Sequence, residues 1–182
     1  MVNMKNRMSM VYVQEHTDHS LIVAEIGVWA GDNAQRLMGL NLDRLFLIDS
    51  YKEYARHDQK ELDEVMHAAL PKIASHPNAY KTSFIRMESV EAAELFLDEY
   101  FDYIYIDGNH TLDAVSKDLE AWWPKVKPGG YFAGHDYSSS IGVMRAVETF
   151  CEKYGLDFQS WAPPRTEDGP EHLADWLIRK AD

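Results

Sequence analysis

The chain has 182 residues, 46% hydrophobic and 26% charged, ordinary values for one globular domain with a sizeable core. With 18 Lys and Arg against 30 Asp and Glu, its net charge of −12 argues against a broad nucleic-acid surface, because phosphate binding needs clustered cations. Cys151 is the single cysteine, which excludes an intrachain disulfide and a cysteine zinc cluster; apolar runs are too short for a bilayer and no signal-type segment opens the chain, so a cytoplasmic protein with no membrane partner is expected.

Residues 1–20 read as a short extension in front of a single domain. Five apolar runs then follow: "LIVAEIG" (Leu21–Gly27), "RLFLIDS" (Arg44–Ser50), "SFIRME" (Ser83–Glu88), "FDYIYID" (Phe101–Asp107) and "GGYFAGHD" (Gly129–Asp136). Runs without polar alternation suit strands buried on both faces of a parallel sheet. Helical spacing fills the intervals. Asn33–Leu40 aligns Ala34, Leu37 and Met38 behind Asp32 as a cap, and Glu61–Leu70 aligns Leu62, Val65, Met66 and Ala69. Ser89–Leu97 offers Val90, Ala93 and Leu97. Thr111–Val126 repeats Val115, Leu119, Trp122 and Val126 up to a "KPGG" break, and Ile141–Tyr154 aligns Val143, Val147, Phe150 and Tyr154. The tail changes rhythm: Leu156–Pro163 and Ala174–Lys180 read as two strands joined by the polar link Pro164–Leu173, hence an antiparallel hairpin. Alternating strands and helices predict an α/β domain with right-handed crossovers.

In an open α/β sheet, ligands bind at the carboxyl ends of the strands. Five such ends carry acids here: Glu25 beside Gly27, Asp49, Glu88 beside Ser89, Asp107 followed by His110, and His135–Asp136. The first strand ends in "EIGVWAGDN", where Gly27 and Gly31 permit a tight turn and close ligand approach. That is E-x-G-x-x-x-G, not the dinucleotide G-x-G-x-x-G. Asp49, 22 positions after Gly27, suits a ribose diol. Ser89 reads equally as a pocket residue and as a helix cap. Asp107, His135 and Asp136, on strand tips expected to be neighbours, suit a divalent ion or a substrate hydroxyl, and equally loop capping. Tyr51 and Tyr54 suit a pocket wall or the core edge, and Trp122–Trp123 suits core. His16, His19, His57, His67, His76 and His172 fit no metal spacing.

The motifs resemble those of class I S-adenosylmethionine-dependent methyltransferases. "AEIGVWAGDNA" resembles the first motif, "LFLIDS" the second and "IRMESVEAA" the adenine-side segment. The stretch "YIDGNHTLDAVSKDLEAWWPKVKPGGYFAGHDY", with D-G-x-H, D-L-x-x-W, K-P-G-G and H-D-Y, resembles the small type 24 methyltransferase family. The resemblance implies a Rossmann-like three-layer sandwich whose seven-stranded, mostly parallel sheet ends in an antiparallel hairpin. It assigns the methionine part of the cofactor to Gly27 and its loop, with Glu25 and Gly31 in the same segment. Asp49 takes the ribose, Glu88 and Ser89 border the adenine, and Asp107 faces the methionine or the acceptor. Metal-dependent relatives bind Mg²⁺ or Mn²⁺ through an acid after the fourth strand and an Asp-Asn pair after the fifth. Here the candidate ligands are Asp107, His135 and Asp136, and His110, His135 and Asp136 are the candidate catalytic residues. Trp29 stands where many first motifs have a glycine. The short N-terminal extension leaves the substrate lid small or supplied by a second subunit, as in a homodimer.

The resulting expectation is methyl transfer to a small-molecule acceptor, most simply a hydroxyl. The competing readings are a nicotinamide-dependent oxidoreductase, which the chain's lack of a Tyr-x-x-x-Lys pair disfavours, and a cofactor-binding interaction module without catalysis.

Overall fold

The computed structural model describes residues 7–54, 57–161 and 175–182. In chain order the elements are α1 (Met8–Glu15), β1 (Leu21–Ile26), α2 (Asp32–Leu37), β2 (Leu42–Ile48), α3 (Gln59–Ala74), β3 (Thr82–Ile85), α4 (Ser89–Ala93), β4 (Phe101–Ile106), α5 (Leu112–Trp122), β5 (Val126–Gly134), α6 (Ile141–Tyr154), β6 (Gln159–Ser160) and β7 (Trp176–Arg179). They form one seven-stranded sheet of order β3-β2-β1-β4-β5-β7-β6. β1 to β5 pair in parallel, and β7 lies antiparallel between β5 and β6. The order reverses between β1 and β4, which places a crevice over their carboxyl ends.

The strand β4 shows why the sheet is buried on both sides. Tyr103 and Tyr105 join Met10, Val13, Ala34, Leu37, Ala69 and Ile73 from α1, α2 and α3 on one face. Ile104 and Ile106 join Ala93, Val115, Leu119, Trp122, Val147 and Phe150 from α4, α5 and α6 on the other. Period-2 alternation thus splits an unbroken apolar run between two helix layers. Among the described residues, no helix is long and apolar enough to cross a membrane.

Several boundaries differ from the sequence expectation. Within the expected extension, Met8–Glu15 is helical, anchored by tertiary contacts. Asp175 Oδ2 accepts hydrogen bonds from Ser9 N at 3.0 Å and from Ser9 Oγ at 2.6 Å. Gly31, left-handed at φ 75°, occupies the cap position of α2 instead of Asp32, which is the first helical residue. "KPGG" does not end the helix before a strand. Those residues lie inside β5, where the register shifts between Phe101 and Tyr103 of β4 and Gly129 adopts φ +72° as a bulge residue. α6 spans the expected residues, closed by Gly155 in the left-handed conformation. The hairpin strands pair as expected, with β6 reduced to two residues. The link between them and His172 lie outside the described residues.

Candidate active site

The strand tips are drawn together by backbone geometry. Gly27, at φ +90°, passes so close to β4 that an added Cβ would sit 2.5 Å from Gly108 Cα and overlap the Asp107 carbonyl. Asp49 binds this turn to β2. Its Oδ2 accepts hydrogen bonds from Val28 N (2.8 Å) and Trp29 N (3.0 Å), and its Oδ1 accepts one from Tyr51 N at 2.8 Å. A carboxylate offers about four acceptor positions, so one remains toward the cleft. Trp29, Tyr51 and Asp136 are non-glycine residues with positive φ, all at strand tips. Such conformations cost about 1–3 kcal/mol and persist where surrounding structure enforces them.

Two adjoining clefts lie over these tips. The first, about 510 Å³, is lined by Asp49, Glu88, Ser89, Asp107 and Asp118, among others. The second, about 730 Å³, is lined by Arg7, Asn33, Arg36, His57 and His110, among others. Gly27, Trp29, Tyr54, Asp107, Gly108 and Asn109 line both. The two tyrosines divide their roles. Tyr54 is a cleft residue, whereas Tyr51 is 1% exposed and donates its hydroxyl to the Trp29 carbonyl at 2.5 Å. Trp122 is core, and its Nε1–H is donated to Ser89 Oγ at 2.8 Å. Glu88 takes the cap position of α4, without a side-chain cap bond, so Ser89 is not that cap.

On the wall of the second cleft, His110 Nε2 lies 3.2 Å from Asp136 Oδ2, which lines neither cleft, and 3.7 Å from Asp107 Oδ1. The Asp107 carboxylate, with that of Asp136, raises the His110 pKa above the ordinary imidazole value, against the opposing effect of burial. Burial would raise the Asp136 carboxyl, but hydrogen bonds from His135 and Ser139 hold it far below the usual carboxylate range. His135 sits behind this group. Its Nδ1 is 3.2 Å from Asp136 Oδ2, and its buried Nε2 lies 4.0 Å from Asp175 Oδ1 with no hydrogen-bond partner among the described residues.

The cation set differs from the sequence expectation. One donor atom each of Asp107, His110 and Asp136 fall within 4.8 Å of one another, so His110 and not His135 completes the trio with the two acids. Ligands 2.0–2.1 Å from one ion stand about 3 Å apart at right angles and about 4 Å apart when opposed, so the three donors match a divalent cation in kind but would have to draw together to hold one. A competing charge is present: Arg7 Nη2 lies 3.5 Å from Asp107 Oδ2, with Arg7 Nε 3.0 Å from Asn33 Oδ1.

Two residues assigned to the cofactor stand back from the clefts. Glu25 is 0% exposed; its Oε1 accepts from Asn33 Nδ2 at 2.8 Å, and burial raises its pKa well above the usual range. Gly31 packs against α3, where an added Cβ would lie 3.2 Å from Ile73 Cγ1. Sequence reasoning missed two others. Arg7 precedes the first visible motif and comes near the site only because α1 packs on the face of β4 and β5, with Ser9 bonded to Asp175. Asp118 was within reach: it is the acid of D-L-x-x-W, on the apolar stripe of α5 with Val115, Leu119 and Trp122.

A family model described as "Methyltransferase domain" matches residues 24–137, more than half of the chain. The chain belongs to this methyltransferase family. The match selects the methyltransferase among the readings left open by the sequence. Solved structures share the fold of the methyltransferase domain at low identity. A Streptococcus mutans protein assigned as a methyltransferase, in complex with S-adenosylhomocysteine, aligns with TM-score 0.73 at 12% identity, covering 99% of each chain. An rRNA methylase from Streptococcus thermophilus aligns at 0.69 and 16%, covering 100% of this chain and 99% of that one. CalS11, a TDP-rhamnose 3'-O-methyltransferase of calicheamicin biosynthesis, aligns at 0.62 and 16%, covering 98% and 80%. No curated protein matches. The domain is therefore a class I S-adenosylmethionine-dependent methyltransferase fold.

Proposed function

We propose that the protein transfers a methyl group from S-adenosylmethionine to the hydroxyl of a small molecule. The observation that carries this reading is His110, on the wall of the second cleft beside Asp107, which lines both clefts, and within reach of Asp136. The nucleoside lies in the first cleft, with a ribose hydroxyl on the remaining acceptor position of Asp49 and the base toward Glu88 and Ser89. Methionine crosses the Gly27 turn, and the acceptor occupies the second cleft, whose 730 Å³ suits a small molecule. The net charge of −12 favours such an acceptor over RNA.

Transfer is an in-line displacement: the acceptor oxygen forms a bond to the sulfonium methyl carbon as the carbon–sulfur bond breaks. Alignment of the two clefts supplies much of the acceleration. With His110 Nε2 directed at the carboxylates, Nδ1 is left to take the acceptor's proton, and the two acids stabilise the resulting imidazolium. His135 holds Asp136 in place. A divalent ion, when bound, would be held by Asp107, His110 and Asp136 and would lower the acceptor's pKa.

Calorimetry with S-adenosylhomocysteine and with NAD tests the cofactor, and a panel of phenols, sugars and polyketides assayed for S-adenosylhomocysteine release tests the acceptor. Binding of S-adenosylhomocysteine alone and turnover with a hydroxyl compound are expected. Turnover on RNA alone would sink the acceptor assignment.

A further inference from the structure

Asp118 is a carboxyl on the buried face of α5, only 6% exposed, yet part of the wall of the first cleft. A carboxylate among apolar neighbours is unfavourable unless something pairs with it. The polar neighbour that offsets this burial is Ser89. The Ser89 oxygen accepts the Trp122 Nε1–H at 2.8 Å, so the Ser89 hydrogen is free to turn toward Asp118. Burial, with the Glu88 carboxylate nearby, pushes the Asp118 pKa up to about 6, and no Lys or Arg is among the groups that offset this. Gly108 forms the adjoining wall, where even an added Cβ would lie 3.9 Å from Asp118 Oδ2.

A carboxylate with one hydrogen bond has acceptor positions to spare and calls for a ligand N–H. Asp49 lines the same cleft at the ribose position, and Ser89 marks the base end. We propose that Asp118 reads the base of the nucleoside, its carboxylate accepting a hydrogen from the exocyclic 6-amino group of adenine. This rests on the S-adenosylmethionine reading above. The Trp122–Ser89 pair then acts as a positioning device that aims the carboxylate. A 6-oxo purine would place an acceptor against an acceptor, the arrangement that buried polar sites reject most strongly.

The test is calorimetry with S-adenosylhomocysteine and S-inosylhomocysteine, on the wild-type chain and on Asp118→Asn, at pH 8. The wild type is expected to prefer the adenine compound by on the order of 100-fold or more. The asparagine variant keeps the shape and removes a buried charge, and its amide N–H can meet the 6-oxo group. Its preference should fall at least ten-fold or invert. If it weakens both compounds equally, or leaves the ratio unchanged, the base-reading role is wrong while the cofactor assignment stands. If the wild type binds neither compound, the cofactor assignment fails and this inference with it.

Discussion

Gly27 and Asp107 approach so closely that the tips of β1 and β4 leave no space for a side chain at position 27. Hydrogen bonds continue the contact, with Asp107 N donated to Ile26 O at 2.7 Å and Gly27 N to Ile48 O at 2.9 Å. Gly27→Ala therefore meets both a positive φ and a steric overlap with backbone. Equilibrium denaturation should show a loss of about 3 kcal/mol, together with loss of S-adenosylhomocysteine binding. A loss under about 0.5 kcal/mol, the range of ordinary surface changes, would mean that the tips separate freely.

Asp49 is expected to be both a ribose acceptor and the lock on the glycine turn. Asp49→Ala should weaken S-adenosylhomocysteine at least ~10-fold by calorimetry, the scale of lost charge-assisted hydrogen bonds. Asp49→Asn, which retains one acceptor oxygen, should fall between. Unchanged affinity in both would remove Asp49 from the site.

His110 carries a raised pKa, chiefly through the neighbouring Asp107 carboxylate. Because the folded state binds the proton more tightly than the unfolded chain, the linked stability is fully present below the unfolded imidazole pKa. It is lost as pH rises through the higher folded value. NMR titration of the His110 ring should give a midpoint above the ordinary 6.5, and Asp107→Asn should lower it. The same shift places the rising limb of the methyl-transfer rate on the alkaline side of 6.5. An Asp107→Asn midpoint equal to wild type would contradict the pairing.

Asp118 has a pKa raised to about 6 by burial, so the folded state favours its neutral form. Its stabilising contribution is present below the unfolded carboxylate pKa and disappears as pH rises through about 6. In the absence of cofactor, Asp118→Asn should raise the Tm at pH 7.5 and leave it nearly unchanged at pH 4. Melting scans at the two pH values give the comparison. A variant less stable at pH 7.5 would indicate that the ionised carboxylate is well paired.

Asp175, just before β7, ties α1 to β4. It accepts Ser9 N and Ser9 Oγ from α1 through Oδ2, and Tyr105 OH from β4 at 2.9 Å through Oδ1. Asp175→Ala should cost about 3 kcal/mol, the upper range for hydrogen bonds to a charged group. It should also speed amide exchange in α1 more than in β4, because β4 is held by strand pairing on both edges and α1 is not. Equal protection in α1 before and after would show that Met10 and Val13 suffice to hold it.

The sequence by itself determined the strand–helix alternation, because burial on both faces writes unbroken apolar runs and each helix writes its own spacing. It determined the family for a similar reason: the glycine turn, Asp49 and the D-G-x-H to H-D-Y stretch are local chemistry that a short window contains. "YIYI" showed a buried strand, but the tertiary structure decided that Tyr103 and Tyr105 face α1 while Ile104 and Ile106 face α5. Only the fold could group His110 with Asp107 and Asp136 and turn His135 toward Asp175, since ring direction follows from packing and not from position in the chain. The same holds for α1, whose eight residues are too short to be stable alone and are fixed by a carboxylate 166 positions away. Docking α1 brings Arg7 to the site. The "KPGG" bulge was read as a break before the strand because a glycine pair signals a turn locally, while β4 pairs with Val126 before it and Tyr131 after it and so keeps it within one strand.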